Sequence, residues 1–281
     1  MGWRLRIEHT TRVRYAGPVL ASFNEVRMTP LTLPTQVALD ARVAVGPGHV
    51  PVRSYRDRWG TRVTAFDLRE AHDCLQIWAT AMVETSPARV PDPANDWDET
   101  GEAATRGRVA EFRRPTPLTT LDPTDAEAAT AGVARLPPAV AAEMISARVR
   151  DRIAYLPGAT QVRTSAQEAW DKGQGVCQDM AHAAVALLRA AGLPARYVSG
   201  YLHPDAHAEP GGTATVQGHA WAEYWAGEWV PLDPAFGVPV AERHVVVARG
   251  RDYNDVPPLK GVYRGPAETA MDVTIEVTRL A

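Results

Sequence analysis

The sequence predicts an α+β protein: an N-terminal antiparallel β-sandwich-like domain, then a core in which one strong helix packs on an antiparallel sheet. Three observations carry this. Period-two alternation dominates residues 1–86, a single strong helical period occupies 176–191, and strand periods return after it. Helices thus precede strands in the second half, which favours α+β over an alternating, doubly wound α/β chain.

In the first segment Trp3, Leu5, Ile7, His9, Thr11, Val13 and Tyr15 share one face, and Arg4, Arg6, Glu8, Thr10, Arg12 and Arg14 share the other. That is a long half-buried strand. Strand-like runs follow at 41–45, 50–58, 62–68 and 75–84, separated by Gly46-Pro47-Gly48, Trp59-Gly60 and Ala71-His72-Asp73. Residues 1–86 form the β domain, and residues 87–120, rich in Pro, Asp, Glu and Arg, read as a linker or extended loop. Residues 121–281 are the expected core, ending in a C-terminal strand through Met271, Val273, Ile275 and Val277.

Within the core, 126–155 is Ala-rich, breaks at Pro137-Pro138 and continues as a helix through Val140, Ile145, Val149 and Ile153. A short helix at 166–170 precedes the strong one, where Val176, Met180, Ala183, Ala184, Leu187, Leu188 and Ala191 line one side; Gly192 and Pro194 stop it. Strands are expected at 195–202, 218–225, 228–232 and 245–249, with a Pro/Gly/Ala loop at 203–216 placed to cover a cleft.

Composition removes several function classes. Of 281 residues, 45% are hydrophobic and 22% charged, which argues against wholesale disorder or a fibre. Thirty Lys+Arg against 33 Asp+Glu give a charge of -3, no basic excess for nucleic acid. Apolar stretches such as 183–188 fall far short of the roughly 20 residues of a membrane span. Met-Gly-Trp-Arg-Leu-Arg has no apolar signal core, so a cytoplasmic location is expected. The two cysteines, Cys74 and Cys177, make no disulfide framework and suit a reducing compartment; Cys74 reads as an inert packing residue.

Cys177 is different. It opens the strong helix directly after Gly173-Gln174-Gly175-Val176, where free N–H groups and the positive helix end favour a thiolate. The glycines leave room for a substrate carbonyl, and the same helix start offers backbone donors to an oxyanion. A nucleophilic Cys needs a base and an orienter. His219 shares a strand face with Trp221 and Glu223, and a hairpin about Ala226-Gly227 brings Pro234 opposite it, with Asp233 alongside. Asp233 could then fix the imidazole tautomer.

The stretches GQGVCQDMAHAAVALLRAAGLPARYVSGYL, GHAWAEYW and GEWVPLDPAFG resemble the bacterial transglutaminase-like superfamily. The N-terminal block, the closing RHVVVARGRDYNDVPPLKGVYRG and the terminal strand are similar to its two-domain members. The resemblance implies a papain-like core with Cys177 as nucleophile, His219 as general base and acid, and Asp233 orienting His219. It implies transfer of an acyl group from an amide to the thiol, then to water or an amine. Three outcomes stay open: a peptidase or amidase, the leading expectation; an amide transferase; and a non-catalytic binding module on the same fold.

Trp221, Asp179 and Tyr155 are the candidate substrate-binding residues. Asp179, which matches the family's Cys-Gln-Asp, either bonds local backbone or shapes the pocket; Trp221 is core or pocket wall; Tyr155 contributes to the cleft. His182 reads as a buried support. Cys177, His182 and His219 match no usual zinc spacing, so no metal or cofactor is expected. Asp171, six residues before Cys177, does not suit an oxyanion-hole side chain. The expected partner is a peptide or amide-containing substrate, with no nucleic acid or membrane. Family analogy adds ATP-grasp ligase-like companion proteins, and a homo-oligomer is compatible with the sequence.

Overall fold

Alternation at the N-terminus produces β1 (Arg4–Val19), in which Leu5, Ile7, His9, Thr11 and Val13 are buried and Arg4, Arg6, Glu8, Arg12 and Arg14 are exposed. The computed structural model describes residues 2–87, 96–97 and 107–281. Half of the expected linker at 87–120 therefore lies outside the described residues; its described end holds two 3-10 turns, Gly107–Arg113 and Pro117–Thr119.

The first half continues with β2 (Ala21–Val26), β3 (Gln36–Gly46), β4 (Arg53–Arg56), β5 (Arg62–Leu68) and β6 (His72–Thr85). β2 has no counterpart in the sequence expectations. The turn expected at 71–73 ends two residues early, because His72 opens β6 with its ring held by Ser22 (3.2 Å) and the Glu70 carbonyl (2.8 Å).

The second half runs α1 (Pro123–Thr130), α2 (Pro138–Arg152), β7 (Ala154–Tyr155), α3 (Ala166–Lys172), β8 (Gln174–Gly175) and α4 (Cys177–Ala190). Then come β9 (Ala195–Leu202), β10 (Thr213–Val216), β11 (His219–Trp225), β12 (Trp229–Leu232), β13 (His244–Gly250), β14 (Leu259–Arg264) and β15 (Glu268–Arg279). The helix starts have local causes. Asp122 caps α1 by accepting from Thr124 N–H, prolines open α1 and α2, and Ser165 with Glu168 forms a capping box at α3. Gly192, at φ 96°, ends the α4 segment while Leu193 N–H returns to the Leu188 carbonyl.

A five-stranded sheet, β10-β15-β1-β6-β3, and a four-stranded sheet, β14-β2-β5-β4, form the sandwich around Val13, Val26, Phe66, Leu75 and Ile77. Three of these nine strands come from the second half. β15 pairs antiparallel with β1 from Leu5↔Arg279 to Tyr15↔Glu268, so the terminal strand expected within 121–281 completes the N-terminal sheet in space. β10 extends that sheet beside β15, and His203 packs edge-on against Trp3 at 5.7 Å. The 203–216 segment thus leads into the sandwich instead of forming the expected cleft cover.

A third sheet, β12-β11-β9-β13, carries α4 on one face, where Ala220, Ala222 and Tyr224 share a cluster with Met180, Ala184, Leu187 and Leu188. Trp221, Val198 and Val246 point to the other face and meet Leu31 from the N-terminal half. The α4 cluster also takes in Trp3, Leu5, Ile7, Val83, Ile275 and Val277, so the two halves share one core. α4 is buried on nearly all sides, and its Arg189 bonds the carbonyls of Phe112, Ala195 and Arg251. No helix among the described residues is long and apolar enough to cross a membrane.

Candidate active site

Glycine and valine before Cys177 let the chain pass from a short strand into a helix within two residues. β7 and β8 pair in parallel, with Tyr155 opposite Gly175, and α4 begins two residues later. The Asp179 carboxylate reaches back to accept the Val176 N–H at 2.8 Å and the Thr160 hydroxyl at 2.5 Å. Gly175 is required there, since a Cβ would stand 2.8 Å from Asp179 Cβ. Asp179 is fully buried, so it organises the helix start and the 156–164 loop rather than facing solvent. Of its two sequence readings the structure shows the local one. Burial raises its pKa, opposed by those hydrogen bonds.

Cys177 has 9% of its surface exposed. Opposite it stands His219, the first residue of β11, and the chain of the β12 hairpin returns Asp233 to the imidazole. The observed pairs, Trp225 with Trp229 and Ala222 with Leu232, are shifted by one residue from the expected register. The side chains nevertheless meet: His219 Nε2 lies 2.8 Å from Asp233 Oδ2. Desolvation works against a charged imidazole here, but hydrogen bonds to Asp233 and to Cys177 outweigh it and push His219 up to about 9. With Nε2 engaged by Asp233, Nδ1 is the nitrogen left for Cys177.

Asp233 is itself held from several directions. Its Oδ1 accepts from Ala235 N–H at 2.9 Å, an Asx-type turn at the Asp-Pro step, and Oδ2 accepts a second imidazole, His244 Nε2, at 3.3 Å. Burial would raise this carboxyl, yet the two histidines hold it far below the usual carboxylate range. His244 Nδ1 accepts the Ala241 N–H at 3.2 Å, which fixes its proton on Nε2, facing Asp233. His219, Asp233 and His244 have ligand atoms within 4.8 Å of one another. Their mutual hydrogen bonds account for this closeness, because each Nε2 is already directed at the same carboxylate oxygen.

The remaining candidates fall in different places. Trp221 is fully buried, 5.8 Å from the His219 ring and nearly parallel to it, so it backs the imidazole and lines no open wall. Tyr155 is 43% exposed, and its ring lies 5.5 Å from that of Phe236. Burial raises the Tyr155 phenol, helped by the nearby charges of Cys177 and Asp233. His182 is buried away from His219; its Nε2 accepts Tyr253 N–H at 3.2 Å and burial lowers it to about 3, the supporting role. Glu223 is buried between Arg196 and Arg249 (2.5 and 2.7 Å).

His244 and Phe236 are the residues that sequence reasoning passed over. His244 begins a buried Val-Val-Val run as His219 begins Ala-Trp-Ala, a parallel visible in the sequence. Phe236 stacks on His219 at 5.4 Å and 20° while 48% exposed. A separate cavity of about 340 Å³, lined by Trp225, Trp229, Glu223 and His244, opens on the sheet face away from α4; Cys177 does not line it.

Comparison with known proteins agrees with this architecture. Residues 127–234 match the family described as "Transglutaminase-like superfamily", and residues 5–84 match "Bacterial transglutaminase-like N-terminal region". An uncharacterized protein of Mycobacterium leprae is 41% identical over 99% of this chain and 100% of its own length. A protein-glutamine gamma-glutamyltransferase of Pseudomonas aeruginosa is 39% identical over 75 residues, 25% of this chain and 11% of that protein. The crystal structure of a proposed cysteine protease from Cytophaga hutchinsonii superposes with a TM-score of 0.75 at 22% identity, covering 100% of this chain and 92% of the other, which establishes the fold.

Proposed function

The chain belongs to the transglutaminase-like superfamily, and we propose that it is a cysteine-dependent acyl-transfer enzyme that cleaves amide bonds, a peptidase or amidase. The observation that carries this is the line of groups from the start of α4: Cys177, then His219, then Asp233 at 2.8 Å from the imidazole. In this reading the Cys177 thiolate attacks the amide carbonyl, and the helix-start N–H of Cys177 receives the developing oxyanion. His219, charged at neutral pH, gives its Nδ1 proton to the departing amine. The neutral imidazole then takes a proton from water, whose oxygen displaces Cys177 from the thioester, and the acid product leaves. Asp233 holds the ring and stabilises its charged form throughout.

The gamma-glutamyltransferase similarity favours one second reading, in which an amine replaces water in the last step. A reducing, cytoplasmic setting remains part of the proposal, supported by two free cysteines.

The test is alkylation with iodoacetamide across pH 5 to 9, with the label located by mass spectrometry. Selective labelling of Cys177 well below the ~8.5 of an ordinary thiol, weakened in His219→Ala, is the expected result. An inert Cys177, or one reacting as Cys74 does, would overturn the catalytic reading. Product analysis of amide substrates with and without added amines then separates hydrolysis from transfer.

A further inference from the structure

Two exposed aromatic rings meet each other beside the candidate Cys177–His219 pair. Tyr155 stands on the strand beside Gly175, which leads into Cys177, and Phe236 stands on the turn that follows Asp233. Their centroids are 5.5 Å apart, tilted at 40°. Phe236 also lies over the His219 ring at 5.4 Å, opposite in role to the fully buried Trp221 on the same imidazole. Tyr155 keeps 43% and Phe236 48% of its surface open. Leu156 and Val162, 45% and 56% exposed, continue the apolar surface along the same loop, and Gln178 of α4 ties that loop to the helix start through the Val162 carbonyl at 3.0 Å. Neither Phe236 nor Tyr155 is needed to fill the core. Large apolar side chains left open beside a reactive pair are the usual lining of a ligand site.

Chemistry decides which part of a substrate meets them. The imidazole must deliver its proton to the nitrogen that departs, so the group attached to that nitrogen passes beside the His219 ring. Phe236 covers that ring. Resting on the function proposed above, we propose that Phe236 and Tyr155 form a subsite for an apolar, preferentially aromatic group on the departing-amine side of the scissile amide. A planar ring stacks on Phe236 and closes against Tyr155, whereas a small group there leaves both rings uncovered.

Vinyl sulfones test this directly, because the sulfone substituent takes the place of the departing group. Phenyl and methyl vinyl sulfones are reacted with the whole protein. Each rate at Cys177 is divided by the same reagent's rate with N-acetylcysteine. The phenyl reagent should exceed the methyl one by about ten-fold or more, the discrimination expected of an apolar pocket. Phe236→Ser and Tyr155→Ser should each reduce that preference, and Phe236→Leu should retain most of it. Equal normalised rates, or a preference unchanged in both serine variants, would overturn the subsite. If iodoacetamide labels Cys177 selectively while the vinyl sulfones show no preference, the subsite falls and the function stands. If iodoacetamide fails as well, both fall.

Discussion

At the residue scale, Asp233 is the position on which the site's electrostatics turn. One carboxylate oxygen accepts two imidazoles and the other is fixed by backbone N–H groups, so the carboxylate is held in one orientation towards His219. His244 contributes a neutral donor: burial lowers its pKa, only partly countered by Asp233. Removing it leaves Asp233 with one side-chain partner and weakens the orientation of His219. His244→Ala should therefore slow amide turnover by roughly 10- to 100-fold, the rate equivalent of losing a hydrogen bond to a charged group worth about 1.5–3 kcal/mol. His244→Gln, which retains a donor, should restore part of the rate. Because His219 is raised to about 9, turnover should also fall above that pH as the general acid loses its proton. A pH–rate profile of the two variants and the parent protein checks both.

At the element scale, the β9–β11–β13 sheet holds an ion triplet. Glu223 on β11 pairs with Arg196 on β9 and Arg249 on β13, and Arg196 also lies over the Trp229 ring at 3.8 Å. Burial would raise Glu223, yet its two arginines lower its pKa below the ordinary value. The period-two pattern places Glu223 on the His219 face and leaves open whether it meets solvent; only the sheet order, with β9 beside β11 and β13 beyond β9, brings the two arginines. Glu223→Ala should cost about 3 kcal/mol, because two guanidinium groups stay largely buried without their anion. Urea unfolding of that variant and of Glu223→Gln gives the measurement, with the glutamine expected to lose less. The strand that carries His219 is in this way fixed at both ends: by Asp233 and His244 at its start, and by the triplet near its end.

At the scale of the whole molecule, buried histidines set the pH range of stability. His9, buried between the halves and bonded to the Tyr201 hydroxyl at 2.8 Å, is lowered by desolvation to about 4, and His182 to about 3. The unfolded chain takes up protons at these positions near 6.5, while the folded chain refuses them, so stability falls as pH drops from about 6.5 towards 4. His219 acts in the opposite direction. Its raised pKa stabilises the fold fully below about 6.5, and that contribution is lost as pH rises through about 9. The melting temperature should thus peak near pH 6.5 and decline on both sides. His9→Gln should flatten the acid side and His219→Gln the alkaline side. A single transition is expected, since β15 pairs with β1 and one core cluster runs through both halves.

By itself the sequence determined the α+β class, the long first strand, the limits of the Cys177 helix and the order Cys, His, Asp along the chain. These follow from local rules: period, capping residues, glycine and proline stops. The approach of Asp233 to His219 was also legible, because a short hairpin confines its partners to within one residue. Tertiary structure alone decided what depends on distant segments. The pairing of the last strand with the first joins residues at opposite ends of the chain, and no local pattern encodes that. His244 reaches Asp233, and Phe236 reaches Tyr155, only because sheet order and the parallel β7–β8 pair bring separate elements together. Burial, which raises Asp179, lowers His9 and encloses Glu223, is a property of the packed whole. It arises when segments far apart in sequence exclude water from the same space.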